Sequence, residues 1–310
     1  MLGQWSRDGR EKWVHPIAEP SRNPVIVIDG EAIIAAWIQT EADATEAVFV
    51  GTWDRDGHES RPRVRVGPAS KTTWGLNLAV DRSGVWVVFD AATATRASEL
   101  FLGRVDSAGA RVERLTRDDG AESTFPDLKI ADDGHIALSW YDMRDGNDEV
   151  YIFVASQSDV RGEIDTRAHR VTMTDGESIG AYLAWNGEEV GLAWSDKSPG
   201  VHDIFFQPFD RTGSPIVAEE RITRTRTWSL VPAIRSWRRI RAGMDGIRAD
   251  LEPDTRRHRR GDVDGRRSQP YEILNKSSET YPEFSIAHAS HEADQEIRKS
   301  SGASRCALTL

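Results

Sequence analysis

Four segments of this chain are small-apolar runs that end in a large aromatic. They are Ile33-Ile34-Ala35-Ala36-Trp37, Val85-Trp86-Val87-Val88-Phe89, Ile136-Ala137-Leu138-Ser139-Trp140 and Val190-Gly191-Leu192-Ala193-Trp194. The aromatics Trp37, Phe89, Trp140 and Trp194 stand 52, 51 and 54 residues apart. A fixed period of this length marks an array of like units, and it constrains the fold more than any other feature. Each run follows a turn signal: Asp29-Gly30, Arg82-Ser83-Gly84, Asp132-Asp133-Gly134 and Asn186-Gly187. Another short apolar segment precedes each turn, so every unit opens as a β-hairpin.

A third segment opens with an acid in every unit: Glu46, Glu99, Glu149 and Asp203, which lie 9, 10, 9 and 9 residues after the aromatics. A fourth, more polar run follows, such as Arg111-Val112-Glu113-Arg114-Leu115, and polar character suits an outer edge strand that must not pair with another molecule. Turn residues recur too often for a helical reading. Four short strands per unit at a period near fifty describe a blade, and the fold expected is an all-β propeller. The propeller is expected over 1–236, with blades at 24–66, 76–117, 126–174 and 181–225, a partial blade at 1–22 and the start of a further one at 229–236. The repeating aromatics are expected to pack between sheets. The repeating acids are expected to make hydrogen bonds or Arg pairs within the sheets, because a residue present in every blade is better suited to structure than to an asymmetric active site.

Composition narrows the function classes. The chain has 310 residues, 40 basic and 50 acidic, for a formal net charge of −10, and 38% are hydrophobic. That balance fits a globular chain and argues against nucleic acid as a partner. No apolar run reaches the ~18 residues of a membrane span. One cysteine, Cys306, excludes an intrachain disulfide framework and a multi-cysteine zinc site. The opening residues, MLGQWSRDGREKW, have no hydrophobic leader core.

The segment Ala137-Leu-Ser-Trp-Tyr-Asp-Met-Arg-Asp-Gly-Asn-Asp-Glu-Val-Tyr151 resembles a repeat of bacterial secreted and surface β-propeller proteins, A-W-x-D-x-R-D-G-x-x-[DE]-[IV]-Y. Ala193 to Phe205 is a weaker copy. The resemblance implies a rigid propeller and an extracellular or cell-envelope location for an intact relative. Sialidase-like propellers are its enzymatic relatives, marked by the Asp box S-x-D-x-G-x-[TS]-W. The nearest segments, Ser6-Arg7-Asp8-Gly9 with Trp13 and Trp53-Asp54-Arg55-Asp56-Gly57, have the wrong spacing. The three-arginine clamp and nucleophilic Tyr of that class match no motif, so its activity is not carried over.

The ends of the repeat are irregular. Leu2-Gly3-Gln4-Trp5-Ser6-Arg7-Asp8-Gly9 matches Val50-Gly51-Thr52-Trp53-Asp54-Arg55-Asp56-Gly57 at an offset of 48, which places Met1 inside a third strand and implies an incomplete copy. From about residue 237 the pattern collapses into an Arg-rich stretch, and 237–310 is expected to be a non-native or disordered tail. The genetic code offers a reason. Met244-Asp245 compels Trp in the +1 frame, 50 residues after Trp194, and the neighbouring codons permit Gly-Phe-Ala-Leu-Ala before it, so a frame slip between Ile234 and Arg239 is expected.

Candidate chemistry is sparse. Asp142, Asp145, Asn147 and Asp148 alternate oxygen ligands around Gly146 and form a candidate Ca²⁺ loop, set against a turn in which Asp side chains cap backbone N–H groups. No other cofactor is expected. Trp74, Tyr182 and Trp228 precede or open first strands, where propeller loops gather, and are candidate ligand-binding platforms, set against packing between blades. His288, His291 and Cys306 fall in the tail and form no metal motif. No nucleophile triad, phosphate loop or dinucleotide loop is present. The function expected is a non-catalytic binding scaffold of the cell envelope or exterior, taking a glycan or protein ligand. The alternatives are a sialidase-like glycan-active enzyme fragment and an inactive truncated product.

Overall fold

A computed structural model of the chain describes residues 2–5, 10–17, 20–234, 236–239 and 247–250. The expectations placed on His288, His291 and Cys306, and on most of 237–310, lie outside the described residues. Strands β1 (Leu2–Trp5) and β2 (Glu11–His15) form a pair. Four four-stranded antiparallel sheets follow. Their strands are β3 (Ser21–Asp29), β4 (Ala32–Thr40), β5 (Glu46–Trp53) and β6 (Glu59–Ser70); β7 (Leu76–Asp81), β8 (Gly84–Ala92), β9 (Ser98–Asp106) and β10 (Gly109–Arg114); β11 (Ser123–Ile130), β12 (His135–Asp142), β13 (Glu149–Ser156) and β14 (His169–Arg170); and β15 (Ser178–Trp185), β16 (Val190–Asp196), β17 (Asp203–Phe209) and β18 (Glu220–Arg221). Within the Arg-rich segment, β19 (Ser236–Arg239) pairs with β20 (Ile247–Asp250). Strand order in every four-stranded sheet follows chain order. Four consecutive meanders of this kind are propeller blades. Among the described residues there is no α-helix, and no helix is long and apolar enough to cross a membrane.

The chain divides into two compact units. The first holds the described residues up to Leu128 together with Arg161–Thr166; the second holds Lys129–Val160 and those from Arg167 on.

The small-apolar runs are the second strands. They are buried on both faces, so they read as continuous apolar stretches without alternation. Ala35, Ala36, Ala137 and Ala193 have no exposed surface. The repeating aromatics Trp37, Phe89, Trp140 and Trp194 are at most 1% exposed. Each lies directly across from an aromatic of the third strand, in the pairs Trp37–Phe49, Phe89–Phe101, Trp140–Tyr151 and Trp194–Phe205. The ring centroids are 5.7–6.1 Å apart and the planes nearly parallel. Such pairs contribute about 0.5–1.5 kcal/mol beyond the area they bury. In the first unit the aromatics face the preceding sheet. Trp37 packs with Leu2 and Ile17, and Phe89 joins a core with Ile34, Val50 and Val66. Gly67 of β6 makes room for Phe89: a Cβ there would lie 2.3 Å from the ring, and its φ of +86° suits glycine.

The pair β1–β2 supports the 48-residue offset read from sequence. Trp5 opposes Glu11 as Trp53 opposes Glu59.

Candidate functional site

The repeated acids close each sheet at its rim. Thr116 Oγ1 donates to Glu99 at 2.5 Å and accepts the Leu100 N–H at 2.9 Å. Thr172 does the same between Glu149 and the Val150 N–H, and Thr223 between Asp203 and the Ile204 N–H. Arg170 and Arg221 add charge to Glu149 and Asp203. Burial would raise the Asp203 carboxyl, but Thr223, Arg221 and the Thr225 amide outweigh it and hold it below its ordinary value. Blade one departs from the scheme: Glu46 takes Arg22, at 2.7 Å, and the Thr73 N–H. These acids are engaged inside the sheets.

The Asp142–Glu149 loop does not converge on a cation. Asp142 binds Arg144 and the Trp140 indole N–H. Its carboxyl lies below its ordinary value because Arg144 and Trp140 outweigh the upward push of burial. Asp145 takes the Tyr151 hydroxyl and Arg170. Asn147 donates to the Thr174 and Gly176 carbonyls. The Asp148 carbonyl accepts the Ser178 N–H. The four residues are spent on separate anchors, and among the described residues no group of three His, Cys, Asp or Glu is arranged to hold a metal. The arrangement is that of the turn set against the Ca²⁺ loop in the sequence, with its side chains on backbone and side-chain partners.

A feature with no counterpart in the sequence reading organises the starts of the first strands. Asn23, Phe125 and Gly180 take left-handed φ values of +50°, +51° and +68°, and Val231 takes +54°. Each is the third residue of a Ser-x-x-[Pro/Ala] segment: Ser21-Arg22-Asn23-Pro24, Ser123-Thr124-Phe125-Pro126, Ser178-Ile179-Gly180-Ala181 and Ser229-Leu230-Val231-Pro232. The β3–β4 and β15–β16 ladders shift register at this point, as a bulge requires. Two residues beyond it the blades carry Val25, Asp127 and Tyr182, and the same register in β7 holds Asn77. One residue beyond the repeating aromatics they carry Ile38, Asp90, Tyr141 and Ser195. Here the repeat is asymmetric, as a ligand site requires.

In the first unit these positions gather around Asp90. Its carboxylate is completely buried and accepts the N–H groups of Trp74, Gly75 (2.9 Å) and Phe125 (3.0 Å). Burial pushes the carboxyl up to about 7, against the pull of those three amides and of Arg22. Asn77 donates to Asp127, which also takes the Leu128 N–H at 2.9 Å. Asn23 donates to the Trp74 carbonyl at 2.8 Å. Arg22, Trp74, Asn77 and Phe125 are partly exposed, and Asp90 and Asp127 are buried. Trp74, a predicted platform residue, is thus joined to Asp90 through its own amide.

The other two platform residues lie in the second unit. Tyr182 is half-buried against Ala184, Ala193 and Phe206. Trp228 is 57% exposed and meets the His202 ring edge-on at 5.9 Å. His202 is 3.1 Å from Ser195 Oγ and 3.0 Å from Glu177 Oε1. Serine, imidazole and carboxylate in a row is the order of an acyl-transfer triad. Here, however, Ser195 has no exposed surface and donates to the Ser229 carbonyl at 2.8 Å, so it serves as a strut and not as a nucleophile. Burial would raise Glu177, but His202 and Lys197 outweigh it and hold it below its ordinary value.

No family model and no curated protein matches the sequence. Among solved structures the chain is similar to the GH43 endo-arabinanase of Bacillus licheniformis, at 14% identity over 70% of this chain and 84% of that one, TM-score 0.42. An α-L-arabinanase of Penicillium chrysogenum is 10% identical over 67% and 68% of the two chains, TM-score 0.47. A protein of unknown function from Dyadobacter fermentans is 10% identical over 71% and 69%, TM-score 0.49. At these identities the likeness is one of fold. The expectation of a non-catalytic scaffold is set aside as a correction: glycoside hydrolases recur among the structures similar in fold, and the likeness itself assigns no activity to this chain.

Proposed function

We propose that this propeller is a glycan-active enzyme that hydrolyses glycosidic bonds at the inner-strand starts of its first unit. The observation that carries the reading is Asp90: a buried carboxyl with a pKa of about 7, placed where the other blades have Ile38, Tyr141 and Ser195. A carboxyl still protonated near neutrality is fitted to give its proton to a leaving oxygen; because Asp90 has no exposed surface and both its oxygens accept backbone N–H groups, the step requires the Trp74–Gly75 backbone to move off it when substrate binds. Asp127, two residues past the Phe125 amide that binds Asp90, is the second carboxyl of the pair that glycoside hydrolysis uses. Arg22, Asn77 and Trp74 supply polar and aromatic contacts at the surface above them. An exterior or envelope location accords with a polymeric glycan substrate.

The test is hydrolysis of a panel of plant and bacterial polysaccharides, followed by release of reducing ends. Asp90→Asn and Asp127→Asn should each lower kcat by at least a hundredfold, with circular dichroism unchanged. A wild-type chain that is folded yet cleaves nothing in the panel, or folded variants that retain full activity, would overturn the reading.

A further inference from the structure

The first unit carries a concavity whose lining does not include Asp90. A groove of about 1300 Å³ is lined by Pro68, Lys71, Arg96, Phe101, Arg114 and Asp118, among others. It continues into a hollow of about 460 Å³ that shares Pro68, Phe101 and Arg114. Phe101 rests one face on buried Phe89, at 5.7 Å between centroids, and is itself only partly buried. Asp118 is already engaged: it accepts the Thr93 and Thr95 hydroxyls and lies 3.7 Å from Arg114. Lys71 and Arg96 are exposed, and among the described residues neither side chain has a hydrogen bond or ion pair. Two unengaged cations thus line one groove of a chain whose net charge is −10; the groove also holds one exposed carboxylate, Glu163, beside them.

Arg96 stands where arginine is disfavoured. The turn between second and third strands ends in a left-handed residue in every blade: Ala44 (φ +64°), Arg96 (+73°), Gly146 (+99°) and Gly200 (+101°). Each donates its N–H to the carbonyl three residues earlier. Glycine adopts this conformation freely, and a residue with a Cβ does so under strain. Strain of this kind gathers where a side chain has a task. Blades three and four use glycine; blade two holds a long cation there, at the edge of the groove.

We infer that this groove binds an acidic oligosaccharide, a run of uronic-acid residues, with Lys71 and Arg96 on the sugar carboxylates and Phe101 beneath a sugar ring. The choice of a carbohydrate rests on the glycan-active reading; the choice of an acidic one rests on the two cations. Guanidinium and ammonium groups recognise carboxylates by charge-assisted hydrogen bonds, and an aromatic face suits the apolar side of a sugar ring.

The test is calorimetric titration of the full chain, carrying Asp90→Asn to stop turnover, with an oligogalacturonide of about six residues. Its carboxyl-reduced neutral counterpart and a single-stranded oligonucleotide of equal charge are the comparison arms. The oligouronate should bind, more weakly as salt rises, while the other two bind at least tenfold more weakly. Lys71→Gln and Arg96→Gly should each weaken oligouronate binding by at least fivefold, and Phe101→Ala should do so at unchanged salt dependence. No binding, equal binding of the neutral or nucleic-acid ligand, or indifference to Lys71→Gln and Arg96→Gly would each overturn the inference. Binding requires no catalysis, so binding without hydrolysis by the wild-type chain would refute the proposed activity alone. Hydrolysis of neutral glycans without oligouronate binding would refute this inference alone.

Discussion

Replacing Thr172 by valine tests whether the rim closure holds a blade together. Thr172 is 4% exposed and Glu149 not at all. The hydroxyl gives its proton to Glu149 and receives the Val150 N–H at 2.9 Å. Valine keeps the shape and removes both bonds. A buried N–H left without a partner costs about 1–3 kcal/mol, and a lost hydrogen bond to a charged group about 1.5–3 kcal/mol. Glu149 keeps the Thr174 N–H and Arg170, both at 3.2 Å, so its loss belongs at the low end. The added methyl returns about 0.8 kcal/mol. The net expectation is a destabilisation of about 3 kcal/mol, or roughly 6–12 °C in melting temperature at about 2–4 °C per kcal/mol. Thr172→Ser keeps the hydroxyl, loses one methyl and should cost about 1 kcal/mol. The assay is thermal and urea unfolding followed by tryptophan fluorescence, with the exposed Thr212→Val as a control expected to move stability by less than about 0.5 kcal/mol. If Thr172→Val proves as stable as Thr172→Ser, the hydroxyl bridge does not hold the rim and the reasoning fails.

Other outcomes follow from the same geometry. Asp90 has a folded pKa of about 7 against about 3.9 unfolded. The folded chain therefore holds a proton that the unfolded chain releases. Stability should fall as pH rises from about 4 to 7 and level off above, by at most about 4 kcal/mol from this group; Asp90→Asn should flatten that slope in urea unfolding across pH, and an unchanged slope would assign it to other groups. Arg96→Gly relieves a left-handed arginine, worth about 1–2 kcal/mol, and gains a glycine whose unfolded freedom costs about 0.5–1 kcal/mol; the variant should melt slightly higher while losing oligouronate binding, and a lower melting temperature would show that Arg96 packs. The gene, sequenced through the codons for Ile234 to Asp245 and beyond, should read in the +1 frame a small-apolar run, for which Gly-Phe-Ala-Leu-Ala is permitted, ending in the compelled Trp; a shifted frame with no blade-like continuation would remove the frame-slip idea.

The architecture was legible because the second strands announce themselves. A strand buried on both faces must be apolar and compact throughout, and a ring at its end must find a flat partner. The residues that close the rim were less visible. Arg114-Leu115-Thr116, Arg170-Val171-Thr172 and Arg221-Ile222-Thr223 repeat an Arg-apolar-Thr pattern, yet each sits in a polar run where one threonine looks like any other. Asp90 was hidden for the opposite reason. It follows the repeating aromatic directly, where the other blades have Ile38, Tyr141 and Ser195, so no repetition marks it, and its burial shows only in the fold. The oxygen-rich Asp142–Glu149 loop left two readings open because its sequence is the same whether the carboxylates face one ion or, as here, an arginine, an indole and a phenol in turn. The Ser-x-x-[Pro/Ala] segments carry a signal for the left-handed starts, masked in the sequence by the stronger apolar pattern that follows.

The division of labour between rim and mouth has an evolutionary consequence. Threonine bridges fasten third strands to fourth in three blades with side chains those blades share, so the side chains that differ from blade to blade at the first strands, such as Val25 and Tyr182, take no part in that closure. They can be exchanged a few at a time while the sheets persist. Relatives sharing this architecture should therefore diverge fastest in what they bind and slowest in how their outer hems are sewn.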